Sequence, residues 1–243
     1  RSLRFMERGG TAAFLEFREG GVEGVERLRE AATDLNIAPV IFGREERAVV
    51  DVADGYGASG ARDDEFGPER NAARAAGKPF AIHAGERDAA DINPALDLNP
   101  DLLVHMVYAE DLHLDRVEDR EIPVAVCPRS NLVTDVGLPP VRDLLDRTTV
   151  ALGTDNVMLN SPSMFREMEF TAKLCDVSAV EVLRMATTAG ADIAGLNAGV
   201  IDAGTDAKLL VLDGDSDNLS GARDPVRAVV RRASVDDVKE VVL

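Results

Sequence analysis

The chain has 243 residues, long enough to bury a sizeable core in one α/β barrel or in one large domain with a small appendage. It carries 44 acidic against 27 basic residues, a formal net charge of −17, which argues against nucleic acid and anionic membrane surfaces as partners. No run of 18 apolar residues, no signal-peptide pattern in Arg1-Ser2-Leu3-Arg4-Phe5 and no Cys-x-x-Cys around Cys127 or Cys175 are present, so a membrane span, a disulfide framework and a cysteine zinc site are not expected.

These features predict a soluble protein of a reducing cytoplasm. Only Lys78, Lys173, Lys208 and Lys239 supply lysine, and aromatics make up 4% of the chain. The acidic excess with scarce Lys reads as halophilic adaptation, because salt screens the self-repulsion of such a surface; an ordinary acidic cytosolic protein is the alternative.

In chain order, Thr11 to Phe17 reads as a strand, and Gly20-Gly21 leads into a helical pattern from Val22 to Leu35 with Val25, Leu28 and Ala32 on one face. Ala38 to Gly43 is the next strand and Ala48 to Ala53 a third. The latter runs into the glycine-rich stretch Asp54 to Gly60, which precedes a helix over Gly67 to Ala76. That stretch lacks the G-x-G-x-x-G spacing and the Lys of a phosphate loop, so it is expected to line a pocket.

Further strands are expected at Phe80 to Ala84, Leu102 to Val107, Ile122 to Pro128 and Thr148 to Asn156. Helices are expected at Leu112 to Arg120, Val141 to Leu145, Ser163 to Cys175 and Ala179 to Ile193. Seven apolar strands alternating with helices imply a parallel sheet, and this many units favours a (β/α)8 TIM barrel, one strand short, over a doubly wound sheet. Residues 1–197 are assigned to the barrel. From 198 the chain is turn-rich, with a strand at Ala207 to Asp213 and short β or mixed elements over Asp224 to Val242, so 198–243 is assigned to part of a small β domain.

The polar residues of interest fall at strand ends. Phe80-Ala81-Ile82-His83-Ala84-Gly85-Glu86 delivers an imidazole and a carboxylate to one end of a buried-type strand. Taken alone, it reads as a packed core His beside a solvated Glu. His105, Cys127 and Asp155 also lie at or near strand ends, where barrel active sites are built. Asp155 has a competing reading as a helix N-cap. His113 reads as a surface residue, Cys127 as packing beneath the pocket, and Arg18 with Glu19 as pocket residues or a loop salt pair.

His83-Ala84-Gly85-Glu86, then His105, then Cys127-Pro128-Arg129-Ser130-Asn131, then Gly153-Thr154-Asp155-Asn156 resemble the successive strand-end motifs of the metal-dependent amidohydrolase superfamily. The resemblance is to its deaminase-like branch of adenosine, cytosine and adenosylhomocysteine deaminases and chlorohydrolases, over roughly residues 10 to 213. It implies the barrel with a small β-sandwich, and one divalent metal, Zn2+ or Fe2+.

The resemblance makes His83 and Asp155 the metal ligands, with Asp155 also taking a proton from the attacking water. It makes Glu86 the acid that protonates a ring nitrogen and His105 the group that orients the water or the tetrahedral centre. Asn131, Asn156 and Glu167 are expected to support the ligands or touch the substrate. The implied reaction is deamination of a purine, pyrimidine or related heterocycle. A cyclic-amide or imidazolone hydrolase, a chlorohydrolase and a non-catalytic barrel are the alternatives. The resemblance also implies a His-x-His on a first barrel strand, whereas the only histidines are His83, His105 and His113. A segment carrying that strand and both ligands is therefore expected upstream of Arg1, and a molecule limited to these residues is expected to be metal-poor and inactive. Oligomeric state is left open, with a homo-oligomer among the options.

Overall fold

A computed structural model describes residues 1–243. The chain opens with a short helix, α1 (Ser2–Arg8), and then alternates: β1 (Ala13–Arg18), α2 (Gly21–Ala32), β2 (Ala38–Gly43), α3 (Val49–Val52), β3 (Gly55–Gly60), α4 (Gly67–Ala75), β4 (Phe80–Ala84) and α5 (Ile92–Asp97). The alternation continues with β5 (Leu102–His105), α6 (Asp111–Asp119), β6 (Val124–Val126), α7 (Pro128–Val133), α8 (Val141–Leu145), β7 (Val150–Leu152), α9 (Met164–Leu174), α10 (Ala179–Ala186) and α11 (Thr188–Ile193).

The strands β1 to β7 form one parallel sheet in sequential order, a curled half-barrel whose first and last strands are not paired with each other. Each crossover carries a helix to the outer face. There Tyr56, Phe80, Ile82, Leu103, Val124 and Val150 join a buried cluster of 31 residues with the helices. Removing this apolar surface from water is the main stabilising contribution. The concave face holds a smaller cluster of Phe42, Ala81 and Leu102, packed against Phe17.

One strand lies where the sequence reading did not place it. Val49–Val52 is helical, and the glycine-rich run Gly55–Gly60 is the third strand. The cause is visible on the concave face. A Cβ on Gly57 would stand 2.4 Å from the Phe17 ring, and one on Gly55 would stand 2.7 Å from the Phe42 ring. The glycines make room for two aromatic rings that stack at 5.8 Å on the neighbouring strands. Close approach from a neighbour is a recognised use of glycine inside a strand.

The helix expected over Ala179 to Ile193 is broken at Thr187 (φ −128°, ψ −90°) into α10 and α11. Residues 198–243 contain β8 (Leu209–Leu212), α12 (Pro225–Arg232) and β9 (Val238–Val242), and β8 pairs antiparallel with β9. These residues do not stand apart: Leu219, Ala228, Val230 and Ala233 belong to the same 31-residue cluster as the barrel strands. Arg231 Nη2 also donates to the Ala172 carbonyl of α9 at 3.1 Å.

Candidate active site

The site is assembled at the C-terminal ends of β4, β5 and β7 and the first turn of α7. On β4, alternation places His83 on the concave face with Ala81, and its ring lies 4.5 Å from Phe17 by centroid. His83 Nδ1 stands 2.8 Å from the Ala58 carbonyl oxygen. A carbonyl only accepts, so Nδ1 carries the proton and Nε2 keeps its lone pair. Burial, and then the neighbouring His105, push the His83 pKa down to about 4, so the ring is neutral at physiological pH. Gly85 then turns the chain with φ 64°, and its N–H donates to Asp91 Oδ1 at 2.8 Å, which sets Glu86 at the rim. Burial and the nearby Asp155 raise the Glu86 pKa, favouring retention of a proton.

On β5, strict alternation would send His105 to the outer face with Leu103, because the two residues are two positions apart. The pleat ends here instead: His105 and Met106 have φ values of 76° and 54°. The imidazole lies 5.4 Å from the His83 ring by centroid, and Nε2 stands 3.8 Å from Glu86 Oε2. Left-handed backbone at non-glycine residues costs on the order of 1–3 kcal/mol each, and such strain is concentrated at functional sites. Burial holds the His105 pKa below its ordinary value.

Beyond β7, Asp155 is itself left-handed (φ 55°), a conformation short Asp side chains tolerate. One ligand atom from each of Glu86, His105 and Asp155 lies within 4.8 Å of the other two. His83 is outside that trio, with its ring beside that of His105.

Three consecutive residues of α7 hold this arrangement, each gripping a different element. Arg129 Nε donates to Glu167 Oε2 of α9 at 3.0 Å, its backbone N–H donates to Oε1 at 2.9 Å, and Nη2 donates to the Ser161 carbonyl at 2.7 Å. Ser130 Oγ donates to Asp155 Oδ2 at 2.6 Å. Asn131 Nδ2 stands 3.1 Å from His105 Nδ1. All three residues are buried. Arg129 and Ser130 were not among the expected site residues. They stood in the strand-end motif Cys127-Pro128-Arg129-Ser130-Asn131 without a role assigned to either.

Other expected residues fall elsewhere. Asn156 is exposed and uses its Oδ1 to accept from the Met158 N–H at 2.8 Å. Glu167 is fully buried beneath Arg129, a support and not a pocket wall. Asp155 caps no helix, since the N-cap of α9 is Ser163. Arg18 pairs with Glu16 at 3.7 Å, and Glu19 with Arg44 at 3.7 Å, so the two do not pair with each other. His113, expected at the surface, is only 6% exposed. Its Nδ1 accepts from the Glu110 N–H at 3.1 Å and closes the capping box of α6, which draws the ring inward. Cys127 is buried and its thiol is pushed well up by burial, so it is a packing residue and not a thiolate nucleophile.

The donor set suits a divalent cation. His83 presents a free Nε2 lone pair with its Nδ1–H anchored on a carbonyl, the arrangement that backs metal-ligating histidines. Asp155 and Glu86 add carboxylates that cluster with the His105 ring and not with His83, and Asp155 is itself hydrogen-bonded.

Imidazoles and carboxylates converging at the strand ends of a parallel barrel sheet are the donor types that metal-assisted hydrolase centres use. The chain belongs to the amidohydrolase family, whose model matches residues 1–242. It is 35% identical over 276 residues to a provisionally named aminohydrolase of Methanothermobacter thermautotrophicus, covering 98% of this chain and 69% of that protein. It is 36% identical over 175 residues to the 5-methylthioadenosine/S-adenosylhomocysteine deaminase of Haloarcula marismortui, covering 68% of this chain and 40% of that one.

In architecture it is similar to an adenosine deaminase from Xanthomonas campestris with bound zinc, with a TM-score of 0.72, 19% identity, and 98% of this chain and 61% of that chain covered. It is also similar to the atrazine chlorohydrolase of Arthrobacter aurescens complexed with zinc, with a TM-score of 0.81, 18% identity, and 100% and 70% covered. These likenesses show the barrel fold, in which the seven parallel strands take their place.

Proposed function

We propose that the protein is a metal-dependent aminohydrolase that removes an amino group from a purine, pyrimidine or related heterocycle. The observation that carries this reading is the convergence of Glu86, His105 and Asp155 within 4.8 Å, beside a His83 with its Nε2 lone pair free, in an amidohydrolase chain. Relatives named as aminohydrolase and as adenosine-type deaminase support the C–N bond as the target.

His83 and Asp155 are the residues assigned to hold the cation. When bound, a divalent cation supplies the Lewis acidity that makes water a nucleophile near neutral pH. The donors suit Zn2+ first and Fe2+ equally in type. Asp155 Oδ1 is the base for the attacking water, since Oδ2 is occupied by Ser130. Glu86, with its pKa raised, carries a proton to a ring nitrogen of the heterocycle, so that electron density from the attacked carbon has a neutral place to go. His105 directs a polar contact from the opposite wall. Asn131 and Glu167 hold these groups in place, and Asn156 lies at the outer rim.

The acidic composition supports a salt-rich cytoplasm as the setting, and a small uncharged heterocycle as the ligand in preference to nucleic acid. The test is ammonia release by the full-length, metal-loaded protein on a panel of aminopurines, aminopyrimidines and their nucleosides. Ammonia with the expected oxo product supports the reading. Chloride release from chlorinated triazines, ring opening without ammonia, or no turnover despite stoichiometric metal would replace it.

A further inference from the structure

His83 and His105 face each other at 5.4 Å, yet their Nδ1 atoms meet opposite kinds of partner. His83 Nδ1 meets a carbonyl oxygen, an acceptor, at 2.8 Å. His105 Nδ1 meets the side-chain amide nitrogen of Asn131, a donor, at 3.1 Å. A neutral imidazole has one N–H and one lone pair, so opposite partners select opposite tautomers. At the far end of the His105 ring, Nε2 stands 3.8 Å from Glu86 Oε2, too far for a hydrogen bond to decide the tautomer.

We propose that Asn131 is a positioning residue that locks His105 in the form with the proton on Nε2, so that a hydrogen-bond donor and not a lone pair is aimed between Glu86 and Asp155. Two features suit Asn131 to this task. It is fully buried, so water does not compete for His105 Nδ1. Its neighbours Arg129 and Ser130 are anchored to Ser161 and Asp155, which holds the first turn of α7 against the segment that follows β7.

The consequence is a division of labour. With Nε2 protonated, His105 donates to a substrate or water oxygen and cannot take a proton there, so the base must be a carboxylate. This use of the donor rests on the aminohydrolase reading; the tautomer itself does not.

These 243 residues hold three histidines, so 15N-histidine labelling with long-range proton–nitrogen correlation reads each of these rings directly. The expected spectrum shows His105 with Nδ1 in the lone-pair range and Nε2 in the N–H range, and His83 with the reverse. Asn131→Asp offers only acceptors and should move the His105 proton to Nδ1, while His83 and His113 keep their signals. A His105 that carries its proton on Nδ1 in the unaltered chain, or keeps it on Nε2 in Asn131→Asp, would overturn the proposal.

Should Asn131→Asp not fold, a nitrogen–nitrogen coupling across the Asn131–His105 hydrogen bond in the unaltered chain decides: its presence supports the proposal and its absence overturns it. In turnover, Asn131→Asp is expected to lower kcat by roughly 10–100-fold with KM little changed, the size typical of partners that orient active-site groups. Absence of ammonia release by the unaltered protein would count against the deaminase reading and leave the tautomer result standing.

Discussion

The Ser130 hydroxyl donates to Asp155 Oδ2 at 2.6 Å and thereby ties the first turn of α7 to the loop after β7. A bond this short to a carboxylate is charge-assisted and stronger than a neutral one. Asp155 is exposed and left-handed, and Ser130 supplies the side-chain hydrogen bond to its carboxylate. Ser130→Ala is expected to cost about 10–100-fold in metal affinity or activity, with little change in stability. Metal content after dialysis and kcat on the best substrate check it; wild-type values for both would show that Asp155 is oriented by other means.

The Arg129–Glu167 pair is buried on both sides, with the two side chains 6% and 0% exposed. Removing one partner strands the other charge. Glu167→Ala is therefore expected to destabilise the fold by about 3–5 kcal/mol, whereas replacing both residues with apolar ones of similar volume should recover most of that loss. Denaturant unfolding of the two single variants and the double variant reads this directly.

His83 links stability to pH. Its folded-state pKa of about 4 lies below the ordinary 6.5, so the unfolded chain binds the extra proton between those values. The His83 contribution to stability is therefore complete above about pH 6.5, declines as pH falls toward 4 and is lost below it. At most about 1.4 kcal/mol per pH unit is involved. Glu181, held down to about 2 by Arg142, loses its contribution only at lower pH, below its ordinary 4.5. Unfolding of metal-free protein from pH 7 to 4.5 should thus show a slope that His83→Asn flattens; equal slopes would assign the pH dependence to other groups.

On the concave face, Gly57→Ala places a methyl group 2.4 Å from the Phe17 ring. Overpacking of this kind costs about 1–3 kcal/mol. Because Phe17 also lies 4.5 Å from the His83 ring, the variant should weaken metal retention as well as lower the melting temperature. Adding Phe17→Leu should restore part of the stability, and melting curves of the single and double variants test the pairing.

With a net charge of −17, the folded chain repels itself at low salt. Its melting temperature is expected to rise steadily from millimolar to molar KCl, because screening shortens the reach of that repulsion from about 30 Å at 0.01 M to about 3 Å at 1 M. A flat curve would remove the case for adaptation to high salt.

The alternation of apolar runs with amphipathic segments made the parallel barrel legible in the chain, because burial on both faces leaves its mark on every residue of a strand. His83 and Glu86 were legible for a related reason: they sit three residues apart on one stretch, so no folding is needed to bring them together. Asp155 was recognisable by its position just past an apolar run.

Other features depended on segments far apart in the chain. Gly55–Gly60 has poor intrinsic strand character and becomes a strand only because Phe17 and Phe42 need the space its glycines leave. His113 is drawn inward by Glu110 and Asn93 despite its polar surroundings. His105 faces the pocket because its backbone leaves the pleat, and the grips of Arg129, Ser130 and Asn131 on three elements exist only once α7 is docked. The sequence by itself determined the alternation of strands and helices, β3 and the short helices α1, α5 and α7 excepted, and which residues reach the ends of β4, β5 and β7. Only the tertiary structure decided which faces they take and what holds them, because a residue's own pattern records whether it is buried but not what lies across from it.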